Sequence, residues 1–215
     1  MKFTDLISEP EAMPMLPTGK MITSTSTPYL IHKAAKEGSL DVLQRCIDEN
    51  KMAAYMMDDK DFSPLHHAAQ YNQTSVLTAL IKAGVDVNIR GVGDITSLHI
   101  AARYDSLEAT EFLLSNGADT SIRCAVTGST PLLVAVRMEN PRIVTSLLSN
   151  DRGLIDDHDL QGMTALHLAC MRGSIEICKI LFQYGAHTSL LSATKMVVRL
   201  SCLLQGVKTR ESYLY

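Results

Sequence analysis

Histidine and cysteine carry most of the chemistry this sequence could offer. His66, His99 and His167 are candidates for acid–base work or metal ligation, because imidazole titrates near neutral pH and binds zinc through either ring nitrogen. His167 precedes Cys170 by one helical turn, and Cys178 follows on the next predicted helix, so three zinc ligands are conceivable without a fourth. Spacing argues against both readings. The histidines recur at the same point of similar heptads: Ser63-Pro64-Leu65-His66-His67-Ala68-Ala69, Thr96-Ser97-Leu98-His99-Ile100-Ala101-Ala102 and Thr164-Ala165-Leu166-His167-Leu168-Ala169-Cys170. Each therefore occupies an equivalent place in a repeated unit, where an imidazole bonded to neighbouring backbone is the expectation. Gly91-Val92-Gly93 lacks the third glycine and the strand–turn–helix setting of a dinucleotide loop. Asp58-Asp59 and Asp156-Asp157 read as turn residues, and no serine sits in a nucleophile elbow. The expectation is a chain with no active site, no cofactor and no metal.

The elements that must position these side chains follow from the repeat. A fourth heptad, Thr130-Pro131-Leu132-Leu133-Val134-Ala135-Val136, and a weaker first, Tyr29-Leu30-Ile31-His32-Lys33-Ala34-Ala35, complete the series. The anchor position falls at 32, 66, 99, 133 and 167, in steps of 34, 33, 34 and 34. That period with Thr-Pro-Leu-His-x-Ala-Ala character is identified as the ankyrin repeat, two helices and a turn per unit. Pro64 and Pro131 suit the first turn of a helix, where a missing N–H leaves nothing unpaired. Ser63 or Thr130 just ahead can cap the helix. Paired alanines let adjacent helices approach. A second helix follows in each unit, marked at its end by Gly84, Gly117 and Gly185, where glycine accepts the left-handed conformation. In the fourth unit Leu133 replaces histidine and Asp151 stands where the closing glycine belongs; the first unit ends at Asn50-Lys51 with an irregular loop expected after it.

The fold class expected is all-α, an ankyrin-repeat solenoid of five repeats plus a degenerate partial sixth. The boundaries are 1–28 for a disordered leader, 29–188 for the array (29–60, 61–93, 94–127, 128–161 and 162–188), and 189–215 for a degenerate end. The leader carries the hydroxyl run 23–27, which permits a phosphorylated regulatory tail as the alternative to a featureless one. In the end segment the next anchor would be Ser201, without the histidine, proline or glycine of the earlier units. Its apolar residues Leu190, Leu191, Val197, Val198, Leu203 and Leu204 suit truncation of a longer array, a crude hydrophobic cap, or a membrane-surface helix, and truncation is preferred.

Composition sets the remaining limits. Twenty basic against 23 acidic residues give a net charge of −3, which argues against a nucleic-acid partner. Five cysteines at irregular spacing make a poor disulfide framework and point to reduced thiols in the cytoplasm. Residues 1–28 hold no signal-peptide core, and no apolar run is long enough for a membrane span.

With catalysis set aside, function is expected at a surface. Four and five residues beyond the anchors lie Gln70 and Tyr71, Arg103 and Tyr104, Arg137 and Met138, and Met171 and Arg172. On the concave side of a solenoid this stripe would dock an acidic, partly apolar peptide or a neighbouring domain, since tyrosine and arginine are enriched where binding energy concentrates. Read in order, Leu30-Ile31-His32-Lys33-Ala34-Ala35-Lys36-Glu37-Gly38, Met57-Asp58-Asp59, Pro64-Leu65-His66, Asn72-Gln73, Leu98-His99-Ile100-Ala101 and Gly173-Ser174-Ile175-Glu176 resemble the start of the N-terminal ankyrin array of transient receptor potential ankyrin-type cation channels. The resemblance implies a cytosolic array ahead of six membrane spans and a pore, on the cytosolic face of the plasma membrane. Further repeats or channel subunits would then be partners. The family's electrophile-sensing cysteines lie nearer the spans, so none of the five here takes that role. The alternative is a free-standing cytosolic adaptor.

Overall fold

The computed structural model describes residues 27–186. The sixth unit and nearly all of the leader lie outside the described residues. Ten helices follow one another in pairs: α1 (Thr27–Glu37) with α2 (Leu40–Glu49), α3 (Pro64–Gln70) with α4 (Thr74–Lys82), α5 (Ser97–Arg103) with α6 (Leu107–Ser115), α7 (Pro131–Arg137) with α8 (Pro141–Asn150), and α9 (Ala165–Arg172) with α10 (Ile175–Gln183). The first helices of successive pairs pack in a row from α1 to α9, and the second helices form a parallel row from α2 to α10. Two layers of helix therefore enclose one continuous core. Ala34, Ala68, Ala69, Ala101, Ala102, Ala135 and Ala169 line the inner row and are buried, which is what lets these short helices stack. Leu43, Leu77, Leu80, Leu113, Leu147 and Leu181 fill the space beneath the outer row.

Between pairs the chain runs out into fingers. Each closes on itself through backbone bonds that include Asp58 N to Phe62 O, Gly91 N to Ile95 O, Cys124 N to Ser129 O and Asp159 N to Met163 O. Each of the last three is also bonded to the finger before it, Val92 N to Asp61 O at 3.2 Å, Ala125 N to Gly93 O at 2.8 Å and Leu160 N to Thr127 O at 3.0 Å. The fingers thus form an edge to the solenoid that owes its continuity to the repeat period.

Two turn positions show how the sequence meets backbone demands. Six residues beyond each anchor, between the paired helices, φ is positive in all five repeats: Gly38, Asn72, Asp105, Glu139 and Gly173. Glycine adopts this conformation freely, asparagine and aspartate tolerate it, and glutamate does not favour it. After the outer helices, Gly84, Gly117 and Gly185 turn left-handed. Asn50 and Asp151 occupy that place in the first and fourth repeats with extended backbone, and each instead caps a 3-10 turn, Lys51–Tyr55 or Arg152–Asp156. The caps are the same: Asn50 Oδ1 accepts from Met52 N at 3.0 Å, and Asp151 Oδ1 from Gly153 N at 2.8 Å. The irregular loop of the first repeat and the displaced glycine of the fourth are one device used twice.

Candidate functional site

The anchor histidines bind the repeats together. His66 Nδ1 accepts from the backbone N–H of Ser63 at 3.2 Å and lies 2.8 Å from its hydroxyl, so Nε2 carries the proton and donates to Ile95 O at 2.9 Å. His99 repeats the arrangement with Thr96 and reaches Ser129 O at 3.2 Å. His32 Nε2 stands 3.1 Å from Phe62 O. Each of these carbonyls lies four residues before the following anchor, so each imidazole ties its helix to the next finger. Burial pushes His66 and His99 down to about 4, which keeps both neutral, and the bonds at the two ring nitrogens fix their tautomer.

Leu133 cannot make this bond, and the junction between the fourth and fifth repeats is built otherwise. Asp159 is fully buried and turns its own finger by accepting from Gln161 N at 3.0 Å and Met163 N at 2.8 Å. Its second oxygen is paired with Arg137. Arg123 crosses the same junction to Asp157 at 2.8 Å and to the carbonyl of His158. Asp58 is the counterpart of Asp159 in the first finger: it accepts from Lys60 N and Phe62 N at 2.9 Å and pairs with His67 Nε2 at 2.7 Å. Burial opposes ionisation at Asp58, yet the His67 bond and the two N–H groups hold its carboxyl well below the usual range. Reading Asp58 as one of a pair of plain turn residues missed this; the signal was an aspartate eight residues ahead of the anchor in two fingers.

The stripe is therefore divided. Tyr71, Tyr104 and Met171 end the inner helices and are 42%, 38% and 64% exposed, with Met138 half-buried between them. Gln70 is half-buried, and its carbonyl accepts from Ser106 Oγ at 3.1 Å. Arg103 lies over the Tyr104 ring, 5.7 Å from its centroid. Arg137 is paired with the buried Asp159 and keeps 28% of its side chain exposed. Arg172 lies 3.8 Å from Glu139. Fingertips add two residues that the sequence reading left out, Val126 and Leu160, both seven residues before an anchor and both exposed. Leu160 leans on Gly128, where an added Cβ would come within 2.8 Å of it. The arrangement supplies an aromatic and thioether row edged by aliphatic fingertips, which is suited to apolar contact more than to capture of an acidic peptide.

His167 bonds to Thr164, while the Cys170 and Cys178 sulfurs lie 4.0 Å apart in the core. Among the described residues no group of three or more His, Cys, Asp or Glu side chains is placed to hold a metal. Also among them, no helix is long and apolar enough to cross a membrane.

A family model described as ankyrin repeats in three copies matches residues 12–91 and again 92–191. The E3 ubiquitin-protein ligase XBAT32 of Arabidopsis thaliana is 29% identical over 71% of this chain and 35% of its own length. The nuclear factor NF-kappa-B p105 subunit of Gallus gallus is 27% identical over 73% of this chain and 13% of its own. The palmitoyltransferase akr1 of Emericella nidulans is 39% identical over 28% of this chain and 8% of its own. The chain spans about a third or less of each of these curated relatives.

Proposed function

The chain belongs to the ankyrin-repeat family, and on that premise we propose that its array is a non-catalytic docking module for a protein or peptide partner. The observation that carries this reading is the exposed row Tyr71, Tyr104 and Met171 at the ends of the inner helices. Large apolar side chains held on a rigid frame lose little conformational freedom on binding, so their burial contributes fully to affinity. The buried imidazoles of His66 and His99 and the carboxylate of Asp159 beside them are bonded within the array, in structural roles. Two of the relatives are named as enzymes, and this chain covers only part of each. The test is quantitative capture of a partner first identified by cross-linking to the native array. Tyr71→Ala with Tyr104→Ala should weaken its binding at least five-fold without lowering the melting temperature, whereas Met52→Ala on the outer side should change nothing. Equal binding by both variants would remove the stripe as the site.

The finer reading places this module at the front of a cation-channel subunit, in the cytoplasm against the plasma membrane. Its support is the order and register of the words from Leu30 to Glu176. A soluble-versus-membrane immunoblot with an antibody to residues 60–185 checks it. A channel-sized band confined to membranes is the expected result, and a soluble band at the chain's own mass would instead establish a self-contained adaptor.

A further inference from the structure

The fifth repeat carries two thiols at places where the other repeats carry unreactive side chains. The places lie three and eleven residues beyond the anchor, one on the inner helix and one on the outer, and both are buried in every repeat. Ala35, Ala69, Ala102 and Val136 hold the first place in the other repeats, and leucine, threonine or valine holds the second. In the fifth repeat they are Cys170, in the last turn of α9, and Cys178, in the first turn of α10. Both thiols are reduced, and their sulfurs lie 4.0 Å apart. A disulfide requires about 2.05 Å, so each sulfur has to move by about 1 Å, which rotation about its own Cα–Cβ bond supplies. The two helices already pack on each other across a short turn at Gly173, so the approach of the backbones is set by the repeat itself.

The two sulfurs are chemically unequal. The Cys178 S–H beside it favours the thiolate of Cys170 and lowers that thiol, while the same contact, together with burial, raises Cys178. Cys170 also keeps 3% exposure against none for Cys178. It is therefore the sulfur that ionises first and that a small oxidant meets first. Cys46, a thiol raised chiefly by burial, has the opposite tendency.

We propose that Cys170 and Cys178 are a redox modification site, at which a hydroperoxide drives a reversible disulfide that staples α9 to α10. In the first step the Cys170 thiolate attacks a peroxide oxygen. An S–O bond forms, the O–O bond breaks, and the departing hydroxide takes up the thiol proton to leave as water, with Cys170 as a sulfenic acid. In the second step the Cys178 sulfur attacks the Cys170 sulfur. The S–S bond forms, the S–O bond breaks, and the hydroxide leaves with the Cys178 proton as a second water. Two electrons pass from the thiol pair to one peroxide, and a dithiol reductant returns both by exchange. The bond closes residues 170–178 into a loop, so α10 no longer peels from α9 on its own.

The test treats the full chain at micromolar concentration with a few equivalents of hydrogen peroxide, blocks remaining thiols with N-ethylmaleimide, and digests it with trypsin without reductant. Cleavage after Arg172 and Lys179 puts Cys170 in the peptide 153–172 and Cys178 in 173–179. The expected product is these two peptides joined, and separated again by dithiothreitol. Recovery of both cysteines alkylated, of separate sulfinic acids, or of either one joined to Cys46, Cys124 or Cys202 overturns the proposal. Amide exchange reads the staple directly: oxidation should slow it several-fold in α10 and leave α3 and α4 unchanged. Cys170→Ala restores the residue that three other repeats carry at this place and should abolish the slowing. Exchange in α10 that is unmoved by oxidation, or slowed equally in Cys170→Ala, counts against the staple.

Discussion

At the scale of single residues, the buried imidazoles make stability depend on pH. His66 and His99 titrate at about 4 in the folded chain and near 6.5 when unfolded. Between those values the unfolded chain binds the extra protons, so stability is complete above about pH 6.5 and falls as pH drops toward 4. The loss amounts to roughly 3 kcal/mol for each histidine by pH 4. Melting temperature should decline across this window, and His66→Gln or His99→Gln should flatten the decline while lowering the neutral-pH value. Arg137 gives a second residue-level expectation. Arg137→Ala strands the carboxylate of Asp159, which is fully buried, and should cost about 2–3 kcal/mol. That is less than for a pair buried on both sides, because the arginine is 28% exposed. Denaturant unfolding of Arg137→Ala beside Tyr104→Ala separates the two roles: the first loses stability, the second keeps it.

At the scale of elements, the turns between paired helices impose one backbone conformation on five different residues. Glu139 is the poorest choice among them, with φ of 61°. Glu139→Gly should therefore raise stability by about 1 kcal/mol, since its exposed contact with Arg172 contributes little. Asn72 sits in the same conformation but offers no such gain. Its Oδ1 accepts from Ala109 N at 2.8 Å at the start of α6, and Asn72→Gly would lose that bond. The 3-10 turns make the converse point. Where a closing glycine is absent, Asn50 or Asp151 redirects the chain through a side-chain cap, and Asp151→Ala should cost about 1 kcal/mol in a chemical-denaturation curve.

At the scale of the whole molecule, the main packing of each described repeat is on its neighbours, so stability is approximately a sum over units and junctions. The junctions are unequal. The first three are bridged by His32, His66 and His99 through backbone carbonyls, and the fourth by Arg137 on buried Asp159 and by the half-exposed, salt-sensitive pair of Arg123 with Asp157. Charged bridges near the surface weaken in salt, whereas buried neutral bonds do not. Hydrogen exchange should accordingly show α9 and α10 opening before α3 to α6, with the difference growing as salt rises from 50 mM to about 500 mM. Uniform exchange across all ten helices would show that the arginine junction holds as well as the histidine ones.

The repeat was legible because its information is local. Ser63-Pro64, Ala68-Ala69 and Gly84 each state a cap, a close approach or a left-handed turn within a few residues, and recurrence multiplies a weak signal. From that alone follow the helix pairs, their order, and the conclusion that His66 and His99 serve structure. The exposure of the stripe residues was legible only in part. The stripe's positions are set by counting from the anchor, so Tyr71, Tyr104 and Met171 could be named in advance, and the fingertips Val126 and Leu160 could have been named by the same count. Whether a cation at those positions faces a partner or its own chain is different in kind. Arg137 and Asp159 are 22 residues apart, and no local pattern joins them. Only the packing of the finger ahead of α9 against α7 brings that guanidinium over a carboxylate removed from water. Sequence determined the repeating frame, because its rules act within a turn of chain. Tertiary structure alone decided which charges the frame consumes, because that depends on reach across a junction.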